Sequence, residues 1–226
     1  KFKNFKNIKS KKIKNFKKEK WFNEIKLLGS LKKNYKYSYS KNQINKLKKA
    51  KNYRLIGMGG STLGAEAIYQ FLKHKIKKKF IFINNLNPRL SNKHKKIKAT
   101  NIIISKSGNT LETIVNSNLL IKRSKNIFIT ENKKSYLYLL AEKLKSEIIH
   151  HNNFIGGRYS VLSEVGMLPA ELMGLKTSRF KQFNSLIKNK KYLNQLVNNV
   201  VAILHYVKQK KFNSIILNYD EKSCSL

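Results

Sequence analysis

Between residues 53 and 151, short apolar runs alternate with segments of helical periodicity, and this alternation limits the possible folds more than any other feature of the chain. The runs YRLIGM (53–58), KFIFIN (79–84), NIIIS (101–105), NIFIT (126–130) and EIIHH (147–151) are short and rich in β-branched and aromatic residues, so they read as strands. Helical segments over 62–74, 110–122 and 135–145 lie between them. Near-continuous apolar strands separated by helices predict an α/β fold, a five-stranded parallel sheet with helices on both faces. A ligand then belongs at the carboxyl ends of the strands.

The flanks read differently. Residues 1–44 form a basic segment of helical spacing, 45–155 the α/β lobe, and 156–226 a helical connection leading into further structure. Within that last part, residues 163–211 predict helices broken near Pro169, Gly174 and Asn189. NSIILNYD (213–220) then reads as the first strand of a second sheet that stops almost at its start.

Composition removes several classes. With 226 residues and 41% hydrophobic content, the chain can bury a sizeable core. A single cysteine, Cys224, excludes an internal disulfide framework and fits a reducing, cytoplasmic setting. No apolar stretch reaches the roughly 18 residues of a membrane span. The net charge of +38 invites a nucleic-acid reading, but only five of the 49 basic residues are arginine. Lysines are spread among Asn and Ile along the whole chain, with +16 in residues 1–50 and +22 in the remainder. Dispersed lysine predicts a solvated surface that sticks to polyanions without specificity, so no specific nucleic acid and no membrane are expected as partners.

Three motifs carry the chemistry. GMGGSTLG (57–64) turns from a strand into a helix on glycines. It lacks the third glycine and the later acidic residue of a dinucleotide fingerprint, and the Lys of a Walker loop. What remains is a tight turn whose free amides, with the Ser61 hydroxyl, suit an anion at a helix N-terminus. SKSGNTLET (105–113) follows the third strand and offers the hydroxyls of Ser105, Ser107 and Thr110, the charge of Lys106, and Glu112 just inside a helix. Several short donors around a helix start suit a phosphate monoester. GGRYSVLSEVG (156–166) places Arg158 after two glycines, and an arginine retained in so lysine-rich a chain points to a need for arginine itself.

Taken together and in this order, the three motifs resemble those of the glucose-6-phosphate isomerase family, over roughly residues 45–220. The resemblance implies a sugar-isomerase (SIS-type) lobe, a truncated second lobe of the same type, and a homodimer. It implies aldose–ketose isomerisation of glucose 6-phosphate and fructose 6-phosphate, in glycolysis and gluconeogenesis, through an enediolate, with no cofactor and no metal. It assigns the phosphate grip to Ser105, Lys106, Ser107 and Thr110, sugar contacts to Gly60, Ser61 and Gly157, catalytic cation to Arg158, and a carboxylate near substrate to Glu112. It places the proton-transfer glutamate, a ring-opening histidine and a late lysine beyond Leu226, so the expectation is a piece of the enzyme without its base. A non-enzymatic sugar-phosphate-binding module on one lobe is the rival; it would need the serine loop but not the Arg158 motif.

Overall fold

The computed structural model describes residues 25–86, 97–121, 125–181 and 189–211. Its sheet contains β1 (Asn52–Gly57), β2 (Lys79–Ile83), β3 (Thr100–Ile104), β4 (Asn126–Thr130) and β5 (Glu147–His150). All four pairings are parallel, in the order β2-β1-β3-β4-β5. Each strand lies within one residue of its predicted ends. The segments 1–20 and 213–220, read as a helix and a strand, fall outside the described residues.

Six α-helices accompany the sheet among the described residues: α1 (Lys41–Leu47), α2 (Leu63–Leu72), α3 (Leu111–Leu120), α4 (Tyr136–Lys143), α5 (Glu164–Leu172) and α6 (Lys190–Lys208). Strand alternation sorts them. Tyr53, Leu55, Ile102, Ile104, Ile127, Ile129 and Ile149 face one way and bury Ile44 and Leu47 of α1, Ala65 and Ile68 of α2, and Val165, Leu168 and Leu172 of α5. Ile56, Ile83, Ile103 and Phe128 face the other way and bury Leu120 of α3 and Leu137 and Ala141 of α4. Helices on both faces explain why strand residues of either parity are apolar. The segment 164–172, counted in the sequence with the helical connection, thus packs on the same sheet as 45–155.

Pro169 does not break a helix. α5 runs through it, flanked by the buried Met167, Leu168, Ala170 and Leu172. The ring removes one backbone bond, to the carbonyl of Val165. Burial of the neighbouring apolar side chains offsets that loss.

The segment before α1 is fastened to α5 by its tyrosines. Tyr35 Oη donates to Glu164 Oε2 at 2.8 Å and Tyr39 Oη to Glu171 Oε1 at 3.2 Å. The Tyr37 and Tyr39 rings stack at 5.0 Å, and Lys181 Nζ lies 5.0 and 4.7 Å from the Tyr35 and Tyr37 ring centroids. Burial, and next the Glu171 carboxylate, push the Tyr37 hydroxyl up to about 12. Tyr35 and Tyr39 are raised for the same reasons, with Glu164 the charge nearest Tyr35, so both stay neutral donors.

The order of strands fixes where a ligand goes. From β1 the chain moves out to β2 on one side and returns to β3 on the other. Loops leaving β1 and β3 therefore diverge and open a crevice at this switch point. Gly57 and Ile104, the last residues of the two strands, are register partners, so residues 58–61 and 105–110 begin side by side.

Candidate active site

The first loop is built from glycine requirements. Gly59 has φ +54°, in the left-handed region, and Thr62 N closes the turn on the Gly59 carbonyl at 3.0 Å. A Cβ on Gly60 would lie 2.3 Å from the carbonyl carbon and oxygen of Gly157 and 2.8 Å from Arg158 N. Ser160, buried, donates from Oγ to the Gly157 carbonyl at 2.7 Å and lies 3.3 Å from that of Gly60. Gly64 meets Val161, where an added Cβ would come within 2.8 Å. GMGGSTLG and GGRYSVLSEVG, about a hundred residues apart, are thus one clasped unit at the end of β1, with Arg158 exposed on its rim. Among the described residues the Ser61 hydroxyl has no protein partner.

The second loop is a self-braced turn. Ser105 is buried; its Oγ accepts from Gly108 N at 3.2 Å and pairs with Thr110 Oγ1 at 3.0 Å. Ser107 is exposed and its Oγ accepts from Asn109 N at 3.2 Å, which leaves its own proton free to donate. Gly108 has φ +68°, and a Cβ there would stand 2.0 Å from Ser135 Oγ. The start of α4 holds the loop from outside: Tyr136 N donates to Asn109 Oδ1 at 2.9 Å and Leu137 N to the Gly108 carbonyl at 3.0 Å. Thr110 precedes α3 with no side-chain cap, so the first amides of that helix face the loop unsatisfied by a local side chain. Glu112 sits half-buried in this first turn. Lys106 turns sideways: Nζ is 2.8 Å from the Asn153 carbonyl oxygen and 3.5 Å from Glu131 Oε1.

The structure thus brings Gly60, Ser61, Gly157 and Arg158 into one unit and Ser105, Ser107 and Thr110 into the adjoining loop. Several supporting residues show their role only in the fold. Glu164 is buried, accepts from Asn152 N at 2.8 Å through Oε1, and holds Tyr35 through Oε2. Glu131 and Asn153 hold Lys106, and His151 is wholly buried beside them. The alternation in YKYSY (35–39) was the one available hint that the segment before α1 packs on the lobe.

Hydroxyls, helix-start amides and an arginine turn thus meet at the switch point of a 2-1-3-4-5 parallel α/β sheet, an arrangement suited to holding an anion. Solved structures agree on the fold: a hypothetical protein of Thermus thermophilus has a TM-score of 0.61 at 22% identity, covering 81% of this chain and 49% of that one. The tagatose-6-phosphate ketose/aldose isomerase of Escherichia coli has a TM-score of 0.50 at 15% identity, covering 70% and 47%. The family model described as phosphoglucose isomerase matches residues 42–202, and the chain belongs to that family. It is 34% identical over 203 residues to the glucose-6-phosphate isomerase of Methanocaldococcus jannaschii, covering 82% of this chain and 50% of that protein. To the enzyme of the same name in Acholeplasma laidlawii it is 36% identical over 195 residues, covering 69% and 45%. The chain spans about half the length, or less, of the curated relatives it matches.

Proposed function

We propose that this chain supplies the substrate-gripping lobe of an aldose–ketose isomerase that interconverts glucose 6-phosphate and fructose 6-phosphate. The observation that carries this is the contact of Gly60 with Gly157, which sets the Arg158 turn against the crevice beside the serine loop. The fold alone would not assign a reaction; the relatives named for this activity support it.

In this reading the phosphate is held by the hydroxyls of Ser107 and Thr110, with Ser105 shaping the loop and the amides at the start of α3 adding charge-complementary donors. Gly60, Ser61 and Gly157 line the sugar side, and Lys106 belongs to the loop. A grip remote from C1 and C2 fixes the reacting carbons. Proton transfer between those carbons leaves negative charge on O1 and O2 of an enediolate, and the Arg158 guanidinium stabilises it. A carboxylate base must carry the proton. Glu112 is the carboxylate placed nearest the loop in sequence; in this reading the base is not part of the grip, and the 226-residue chain alone is expected to bind substrate without turning it over. A homodimer in the cytoplasm belongs to the same reading. The exposed Leu111, Tyr159 and Phe154 beside the loops, and Leu196, Val200 and Ile203 along α6, support a further covering surface.

Isothermal titration tests the grip. The chain should bind glucose 6-phosphate and fructose 6-phosphate, bind inorganic phosphate more weakly, and ignore glucose. Equal affinity for glucose, or a preference for nucleotides over both sugar phosphates, would sink this assignment.

A further inference from the structure

Lys106 stands in the loop assigned to phosphate, yet its ammonium is already engaged. It donates to the Asn153 carbonyl, 2.8 Å away, and lies 3.5 Å from Glu131 Oε1 in an ion pair. The two side chains of the ion pair are 31% and 22% exposed, so the pair is screened less than one on an open surface. Its partners belong to the loops that follow β5 and β4.

Past the strand ends the parallel ladder continues a short way, through Ser105 N to the Ile129 carbonyl, Glu131 N to that of Lys106, and His151 N to that of Thr130. The chain then turns away toward Gly156. Two charged side chains hold that turn from either side. Glu164 takes the Asn152 amide at 2.8 Å, and Lys106 takes the next residue's carbonyl. Arg158 follows five residues after Asn153.

Glu131 has the wrong sign for an anion site. A carboxylate beside a phosphate loop weakens the site by repulsion unless it is used for something else. Here it holds the lysine that spans from the phosphate loop to the Arg158 turn.

We propose that Lys106 is a positioning residue rather than a direct phosphate ligand, and that Glu131, acting through it, fixes the Asn152–Arg158 turn relative to the serine loop. This rests on the reading of residues 105–110 as a phosphate grip. The two alternatives differ in sign. If Lys106 delivers its charge to phosphate, neutralising Glu131 frees the lysine, removes repulsion and tightens binding. If Lys106 is a brace, neutralising Glu131 loosens the turn and weakens binding.

The test uses Glu131→Gln, Lys106→Met, their combination and Lys106→Arg in the 226-residue chain. Amide hydrogen exchange is read across residues 152–158, with glucose 6-phosphate and inorganic phosphate as titrants. Glu131→Gln should raise exchange in the turn and weaken glucose 6-phosphate about threefold or more, and the double variant should be no worse than the weaker single one. Lys106→Arg, which keeps charge and donors, should restore most of both. Tighter phosphate binding in Glu131→Gln, or unchanged exchange at 152–158, would overturn the proposal. Should Lys106→Met fail to fold, Glu131→Gln and Lys106→Arg decide alone. If the unaltered chain binds neither titrant, the grip reading falls by itself, and exchange in Glu131→Gln still decides for or against the brace.

Discussion

Gly60 packs its α-carbon directly on the Gly157 peptide, and the contact is one-sided. A Cβ on Gly60 would stand 2.3 Å from backbone atoms of Gly157, whereas a Cβ on Gly157 would stand 3.8 Å from Gly60 Cα, an ordinary van der Waals distance. Gly60→Ala must therefore push two backbones apart, and should cost about 1–3 kcal/mol or more. Gly157→Ala meets no such obstacle and should change stability by no more than about 0.5 kcal/mol. Urea unfolding of both variants measures this. Equal losses would mean that the two motifs are not clasped as described.

The serine loop makes a different split. The Ser107 hydroxyl accepts from Asn109 N and faces outward, so Ser107→Ala should weaken glucose 6-phosphate by about 1.5–3 kcal/mol with little loss of stability. Thr110→Ala should weaken it comparably. Ser105 is buried and organises Gly108 and Thr110, so Ser105→Ala should lower both affinity and the melting temperature. Calorimetric titration beside thermal melts separates the two behaviours. Unchanged affinity in both Ser107→Ala and Thr110→Ala would put the phosphate elsewhere.

His151 makes stability depend on pH. It is fully buried; Nδ1 is 3.2 Å from the Asn152 carbonyl oxygen, and Nε2 has no protein partner among the described residues. Burial lowers its pKa below the usual 6.5; the Asn152 carbonyl and the Glu164 and Glu131 carboxylates act against this, and Lys106 adds to it. The unfolded chain therefore takes up a proton that the folded chain refuses. Stability is complete above about 6.5 and falls as pH drops below it, by at most ~1.4 kcal/mol per pH unit for one proton. Melting temperatures between about pH 7.5 and 5 should fall less in His151→Gln than in the unaltered chain. An equal fall in both would exclude His151 as the source.

The strands were legible because burial on both faces leaves an apolar run bounded by turn residues, and the loops were legible because glycine and hydroxyl residues crowd where backbone must approach an anion. Supporting contacts were not. Glu164 looks like a first-turn carboxylate on a helix, and only the fold shows it buried between Tyr35 and Asn152. Arg54 reads as an interruption of an apolar strand, yet it is buried and donates from Nη1 to Asn101 Oδ1 at 2.9 Å and from Nη2 to the Ile97 carbonyl. Pro169 reads as a break by local propensity, and only the packing of its neighbours in the core carries the helix through it. Each of these depends on residues distant in sequence, which periodicity does not reveal.

Arg158 gives the test closest to the chemistry. It is exposed on a short helical turn of residues 157–162 whose start is fixed by the Gly60 contact and the Ser160 hydrogen bonds, so its backbone is set while its side chain is free to meet substrate. An enediolate carries charge on two adjacent oxygens, which a planar guanidinium can meet with two parallel donors. Lysine keeps the charge but concentrates it at one point. In an active isomerase that contains this chain, Arg158→Lys should lower kcat for glucose 6-phosphate isomerisation by about ten- to a hundredfold while changing KM much less, because the lost contact strengthens only as charge develops. Steady-state kinetics in both directions measures the split. Normal turnover in Arg158→Lys would make the GGRYS turn structural. Isomerase activity in the purified 226-residue chain would instead place the base inside it, and Glu112→Gln would then be the first variant to assay.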